Sequence, residues 1–99
     1  MPETQKSIVE WAASVGIDAA PAHAVERAAE EMAEALDEVR AGEIDKAGVE
    51  LADVVICLFV AASKMGVDLQ AEIDAKMKIN RGRTWRRDER GCVYHVKTG

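Results

Sequence analysis

The stretch LADVVICLFVAA, Leu51 to Ala62, decides how this chain folds, because every residue in it except Asp53 is apolar. At helical periodicity such a run is hydrophobic around its whole circumference and has to be buried on most sides. Its longest uninterrupted part, Val54 to Ala62, is about half of what a bilayer-spanning helix needs, so burial against protein is the expected outcome. A chain of 99 residues buries only about two-thirds of the surface its unfolded form exposes. Self-association is therefore expected from the pattern alone. Asp53 becomes a lone carboxylate on a buried helix, and Glu50, one turn earlier, shares its face and adds repulsion. An uncompensated buried charge costs several kcal/mol or neutralises itself, so a cation is required: either an arginine such as Arg27 or Arg40, or a metal ion.

Outward from this segment, the punctuation reads as helices separated by glycines. The central helix covers about Lys46 to Met65 and stops at Gly66. Before it, one helix is predicted from about Thr4 to Val15, with Ile8, Trp11, Ala12 and Val15 on one face. Another runs from Pro21 to Arg40, its apolar stripe being Val25, Ala28, Ala29, Met32, Leu36 and Val39. That stripe puts Glu31 at its edge and Glu34 almost opposite, and a solvated acidic face is the default reading of Glu30, Glu31, Glu34, Asp37 and Glu38. After it, Asp68 caps a fourth helix to about Arg81. Beyond Gly82 the periodicity is lost apart from a short strand candidate at Cys92 to Val96. The fold class is all-α: a four-helix bundle, one domain over 1–99, with a helical body at 1–81 and a short irregular basic tail at 82–99.

Composition narrows the classes further. The chain is 48% hydrophobic and 31% charged, which excludes a disordered protein. The formal charge of -5 is unevenly spread: residues 1 to 75 carry a net of -11, and residues from Lys76 onward a net of +6. Cys57 and Cys92 have no metal-site or disulfide-framework spacing, and the first residues have no basic region followed by an apolar stretch. A reducing, cytoplasmic setting without membrane attachment is expected.

Glu31 with Glu34, and Glu50 with Asp53, are carboxylate pairs at i, i+3 on two helices that should pack together. Four such groups make an all-oxygen site suited to hard cations such as Mg²⁺ or Mn²⁺. EEMAE (Glu30 to Glu34), a spacer of 15 residues and ELADVV (Glu50 to Val55) resemble the ExxE…ExxD signature of the MazG-like all-α nucleoside triphosphate pyrophosphohydrolases. The resemblance continues through KMGVDLQAEIDAKMKINRGRTW (Lys64 to Trp85) and, in the opening IVEWAASVGI, reaches the first helix of small phage or bacterial members. Two positions depart from the pattern: Ala33 stands where glycine is common, and Asp37 where many relatives have Glu.

The resemblance implies Mg²⁺-dependent hydrolysis of the α–β phosphoanhydride of a nucleoside triphosphate to monophosphate and pyrophosphate. Carried over by position, Glu31, Glu34, Glu50 and Asp53 are metal ligands, and Glu30 is the general base or orienter of the attacking water. Lys76, Asn80 and Arg83 follow at i, i+4, i+7 and form one face toward the β and γ phosphates if the helix persists through Arg83. Trp85 and Trp11 are the candidates to stack the base, with core packing the other reading of each. His23 and His95 have no partner at metal spacing and read as structural or surface residues, Cys57 as a small buried residue. Relatives form dimers or tetramers, so a homodimer or homotetramer is expected. Two further readings stay open: a nucleic-acid-binding module using the basic tail RGRTWRRDERG, disfavoured by the -11 body, and a non-catalytic helical assembly protein whose acidic clusters pair with arginine.

Overall fold

The computed structural model describes residues 2–97. Four helices, α1 (Gln5–Ser14), α2 (Pro21–Arg40), α3 (Ile44–Lys64) and α4 (Leu69–Arg81), precede two strands, β1 (Thr84–Arg87) and β2 (Val93–Val96). The chain divides into two compact units, one running to Leu69 and the other from Gln70 onward.

In the first unit each helix starts and stops for a local reason. Thr4 caps α1: its hydroxyl accepts the Ser7 amide at 3.1 Å, while its own amide donates to Ser7 Oγ at 2.7 Å. Pro21 opens α2 where its missing N–H costs nothing. At the end of α3, Gly66 takes φ +71°, and the Val67 and Gly66 amides donate to the Ala62 and Ser63 carbonyls at 2.8 and 3.0 Å. Gln5 ties the start of α1 to the chain beyond α3, donating to the Val67 carbonyl at 2.9 Å and accepting the Leu69 amide at 2.8 Å.

The helix pair α2 and α3 forms the main packing interface, with α1 against α3. The face of α2 that is buried is not the expected stripe. Ala24, Ala28 and Ala35 are buried, whereas Met32 and Leu36 are 50% and 47% exposed, and Val25 and Val39 are exposed as well. The contact face has moved round the helix by about one residue, roughly 100°. Its line is Ala24, Ala28, Glu31, Ala35 and Glu38, the small alanines allowing close approach of the helices and the two glutamates half-buried among them. On α3 the matching line is Ala47, Glu50, Val54, Cys57 and Ala61. The larger residues Val25, Met32, Leu36 and Val39 of α2, with Leu51 and Val55 of α3, are exposed in the single chain.

In the second unit the expected irregular tail is an antiparallel hairpin pairing Thr84 with Val96 and Trp85 with His95. Its turn is held by Asp88, whose Oδ1 accepts the amides of Arg90 and Cys92 at 2.9 Å each. The correction is to the irregular tail: the short strand expected at Cys92 to Val96 is present as β2, paired with a β1 that was not expected, beside a body of four helices. All four residues of β1 are exposed, so no alternation of apolar and polar residues announced it, whereas β2 has His95 and Val96 half-buried. Among the described residues no helix is long and apolar enough to cross a membrane.

Candidate active site

Rotation of α2 turns Glu31 toward α3, and this builds the site. One carboxylate oxygen from each of Glu31, Glu50 and Asp53 lies within 4.8 Å of the others, a spacing that a single ion can bridge. Glu50, one turn before Asp53 on α3, is half-buried, and its Oε2 is shielded from solvent with no hydrogen-bond partner. Asp53, expected to be the buried acid, is exposed, and the less accessible member of the pair is the half-buried Glu50.

Glu50 is pushed up to about 7 by a hydrogen bond shared with Glu31, by burial, and by the charges of Glu31, Glu34 and Glu38. Repulsion of this kind is relieved by a divalent ion, and the unpartnered oxygen of Glu50 fits that donor set. Glu34 is exposed and outside the triplet, yet its charge reaches Glu50. Glu38, which sequence reasoning placed on a solvated face, is half-buried, with Oε2 shielded and without a partner. The signal was present: Glu38 lies seven residues after Glu31 and therefore on the same helix face.

Arg27 does not meet Glu50 or Asp53. Its Nη1 donates to Glu30 Oε2 at 2.9 Å and its Nη2 to Glu31 Oε1 at 3.0 Å. Arginine thus pairs with two acids of α2, whereas among the described residues Glu50 and Asp53 on α3 have no salt-bridge partner.

Beside the triplet lies a cavity of about 440 Å³. Glu31, Asp53 and Arg27 form its charged wall, and Trp11, Ile17, Ile56 and Val60 its apolar one, with His23 and Cys57 also facing it. Trp11 is 52% exposed and is therefore not part of the core of the single chain. Burial, followed by the charge of Glu31, pushes the Cys57 thiol up and keeps it neutral.

The remaining candidates belong to the second unit. Helix α4 ends at Arg81, so Arg83 is not on a continuous helical face with Lys76 and Asn80; its amide instead donates to the Asn80 carbonyl at 3.2 Å in the turn. The same carbonyl accepts Trp85 Nε1 at 2.8 Å, and the Trp85 ring tilts against His95 at 5.9 Å, so Trp85 braces the junction of helix and hairpin. Asn80 keeps a shielded, unpartnered Oδ1. Lys76 borders a shallow cavity with Glu72, Ile73 and Met77.

No family model matches the chain. It is 33% identical over 94 residues to a dATP/dGTP diphosphohydrolase of Cyanophage S-2L, covering 95% of this chain and 86% of that protein. A solved structure, the Cyanophage S-2L MazG-like pyrophosphohydrolase bound to dGDP and three catalytic Mn²⁺ ions per active site, aligns with a TM-score of 0.76 and 31% identity, over 97% of this chain and all of that one.

Proposed function

Because this chain belongs to the MazG-like pyrophosphohydrolase family, we propose that it hydrolyses nucleoside triphosphates, deoxynucleotides foremost, to the monophosphate and pyrophosphate. The observation that carries the reading is the convergence of Glu31, Glu50 and Asp53, of which Glu31 and Asp53 line a cavity together with Trp11.

Glu31, Glu50 and Asp53, joined by Glu34, would hold a divalent cation, Mg²⁺ or Mn²⁺. When bound, such an ion neutralises phosphate charge and makes an attacking water more acidic. Glu30 lies next to Glu31 and is exposed, and its carboxylate takes the proton that the water loses. The water oxygen bonds to the α-phosphorus, the α–β bridging bond breaks, and pyrophosphate leaves with that bond's electrons. Trp11 stacks the base against the apolar wall of Ile17, Ile56 and Val60. In the second unit, Lys76, Asn80 and Arg83 are the proposed phosphate-binding side chains, on their chemistry. Trp85 is the lesser candidate for the base, since its indole nitrogen is already committed to Asn80.

The exposed stripe of Met32, Leu36 and Val39 supports a homodimer or homotetramer in which this surface is covered. Two free thiols among the described residues fit a reducing, cytoplasmic setting.

The test is product analysis by ³¹P NMR with dATP, dGTP and the remaining common nucleotides, in Mg²⁺ and in Mn²⁺. Pyrophosphate and monophosphate should appear in equal amounts. Asp53→Asn should lower turnover by about two orders of magnitude or more with helix content unchanged. Release of inorganic phosphate instead, or full activity in Asp53→Asn, would reject the reading.

A further inference from the structure

We propose that Arg27 is a positioning residue, whose guanidinium fork joins Glu30 to Glu31 and so sets the water-directed carboxylate relative to the metal-directed one. The inference rests on the hydrolase reading above. Its basis is geometric: two nitrogens of one planar group bond two adjacent side chains, at 2.9 Å to Glu30 and 3.0 Å to Glu31.

Glu30 and Glu31 are consecutive, so their side chains leave α2 about 100° apart. Glu31 turns toward α3 and is only 14% exposed at its side chain, whereas the Glu30 side chain is 62% exposed. An exposed glutamate samples many rotamers, and a proton acceptor needs a fixed position to act on one water. Arg27 stands one turn before both, at i, i+3 and i, i+4, where a helical side chain reaches each of them. The planar fork fixes the angle between the two bonds, which a lysine ammonium on a flexible stem does not do. Arg27 and Glu31 both line the cavity, so the fork that holds Glu30 is anchored at the site.

Charge and geometry act in opposite directions here, and that makes the roles separable. A cation on Glu31 opposes the binding of a second cation, so loss of Arg27 should leave metal binding intact or strengthen it. Loss of the fork should slow the chemical step. The experiment measures kcat and KM for pyrophosphate release, and Mn²⁺ affinity by calorimetric titration without nucleotide, in wild type, Arg27→Gln and Arg27→Lys. Circular dichroism confirms folding, and Arg27→Lys serves should Arg27→Gln fail to fold.

Arg27→Gln should lose at least about tenfold in kcat, with KM within about twofold and Mn²⁺ bound as tightly or several-fold more tightly. Arg27→Lys should restore wild-type Mn²⁺ affinity but not kcat. Recovery of most of the kcat by lysine would overturn the proposal in favour of charge alone. A rise in KM with kcat retained would make Arg27 a substrate contact, and Mn²⁺ binding weakened more than about tenfold would make it a builder of the metal site; either refutes the positioning role. Wild-type protein that releases no pyrophosphate would sink the hydrolase reading and this proposal with it, whereas an active wild type with unchanged Arg27→Gln sinks the proposal alone.

Discussion

Binding of a divalent cation should expel a proton from Glu50, in an amount fixed by how far the surrounding carboxylates raise it. Glu50 stands at about 7 against an ordinary 4.5, through its hydrogen bond with Glu31, its burial, and the charges of Glu31, Glu34 and Glu38. A ligand carboxylate must be ionised, so the proton count equals the fraction of Glu50 protonated beforehand. That fraction is about 0.9 at pH 6, about 0.5 at pH 7 and about 0.1 at pH 8. Calorimetric titration with Mn²⁺ in two buffers of different ionisation enthalpy reads the number directly. Mn²⁺ affinity should climb as pH rises from 5 to 7 and level off above, while Glu50→Gln should bind weakly and release almost nothing. Glu38→Gln removes one of the charges acting on Glu50 and should shift the release curve below pH 7. The same coupling governs stability in chelator. Protonation of Glu50 is favoured in the folded state, so its contribution is fully present below pH 4.5 and is lost as pH rises through about 7. Tm should therefore fall over this window in wild type and stay flatter in Glu50→Gln. Proton release that is absent at pH 6, or equal at pH 6 and pH 8, would refute the reasoning.

Three further outcomes follow from the packing. Trp11→Ala should raise KM about tenfold while changing kcat little, because stacking on one aromatic is worth about 1–3 kcal/mol; steady-state kinetics with dATP and dGTP checks this. Val54→Ala removes two methyl groups from a side chain only 4% exposed and should cost about 2 kcal/mol, read as a lower denaturant midpoint with unchanged slope. Leu36→Glu places charge in the exposed stripe beside Met32 and Val39 and should give a monomer by sedimentation velocity where wild type sediments as an oligomer.

The helices were readable because their ends are written locally. Pro21, Gly42 and Gly66 act on their own neighbours, and α2 ends at Arg40 as its sequence indicates. The carboxylate pairs were legible for the same reason, since i, i+3 spacing puts two groups on one face whatever the helix packs against. The hairpin was not. Only its second strand was anticipated: TWRR is exposed throughout, VYHV is half-buried only at His95 and Val96, and their pairing depends on a turn held by Asp88. The end of α4 at Arg81 was legible too, and it takes Arg83 off the helical face that Lys76 and Asn80 would share with it only if the helix persisted.

The sequence by itself determined four helices, a central one too apolar to stand alone, and two carboxylate pairs at i, i+3 spacing. Only the tertiary structure decided which side of α2 meets that central helix. The alternatives differ by one residue of rotation: one buries Met32 and Leu36, the other Ala24 and Ala35, with Ala28 common to both. Hydrophobicity ranks the first higher, but small side chains let two helices approach closely, and the larger residues are left exposed in the single chain. The choice brings Glu31 and Glu38 to the interface, raises Glu50, and leaves Arg27 bonded to Glu30 and Glu31 instead of to the acids on α3.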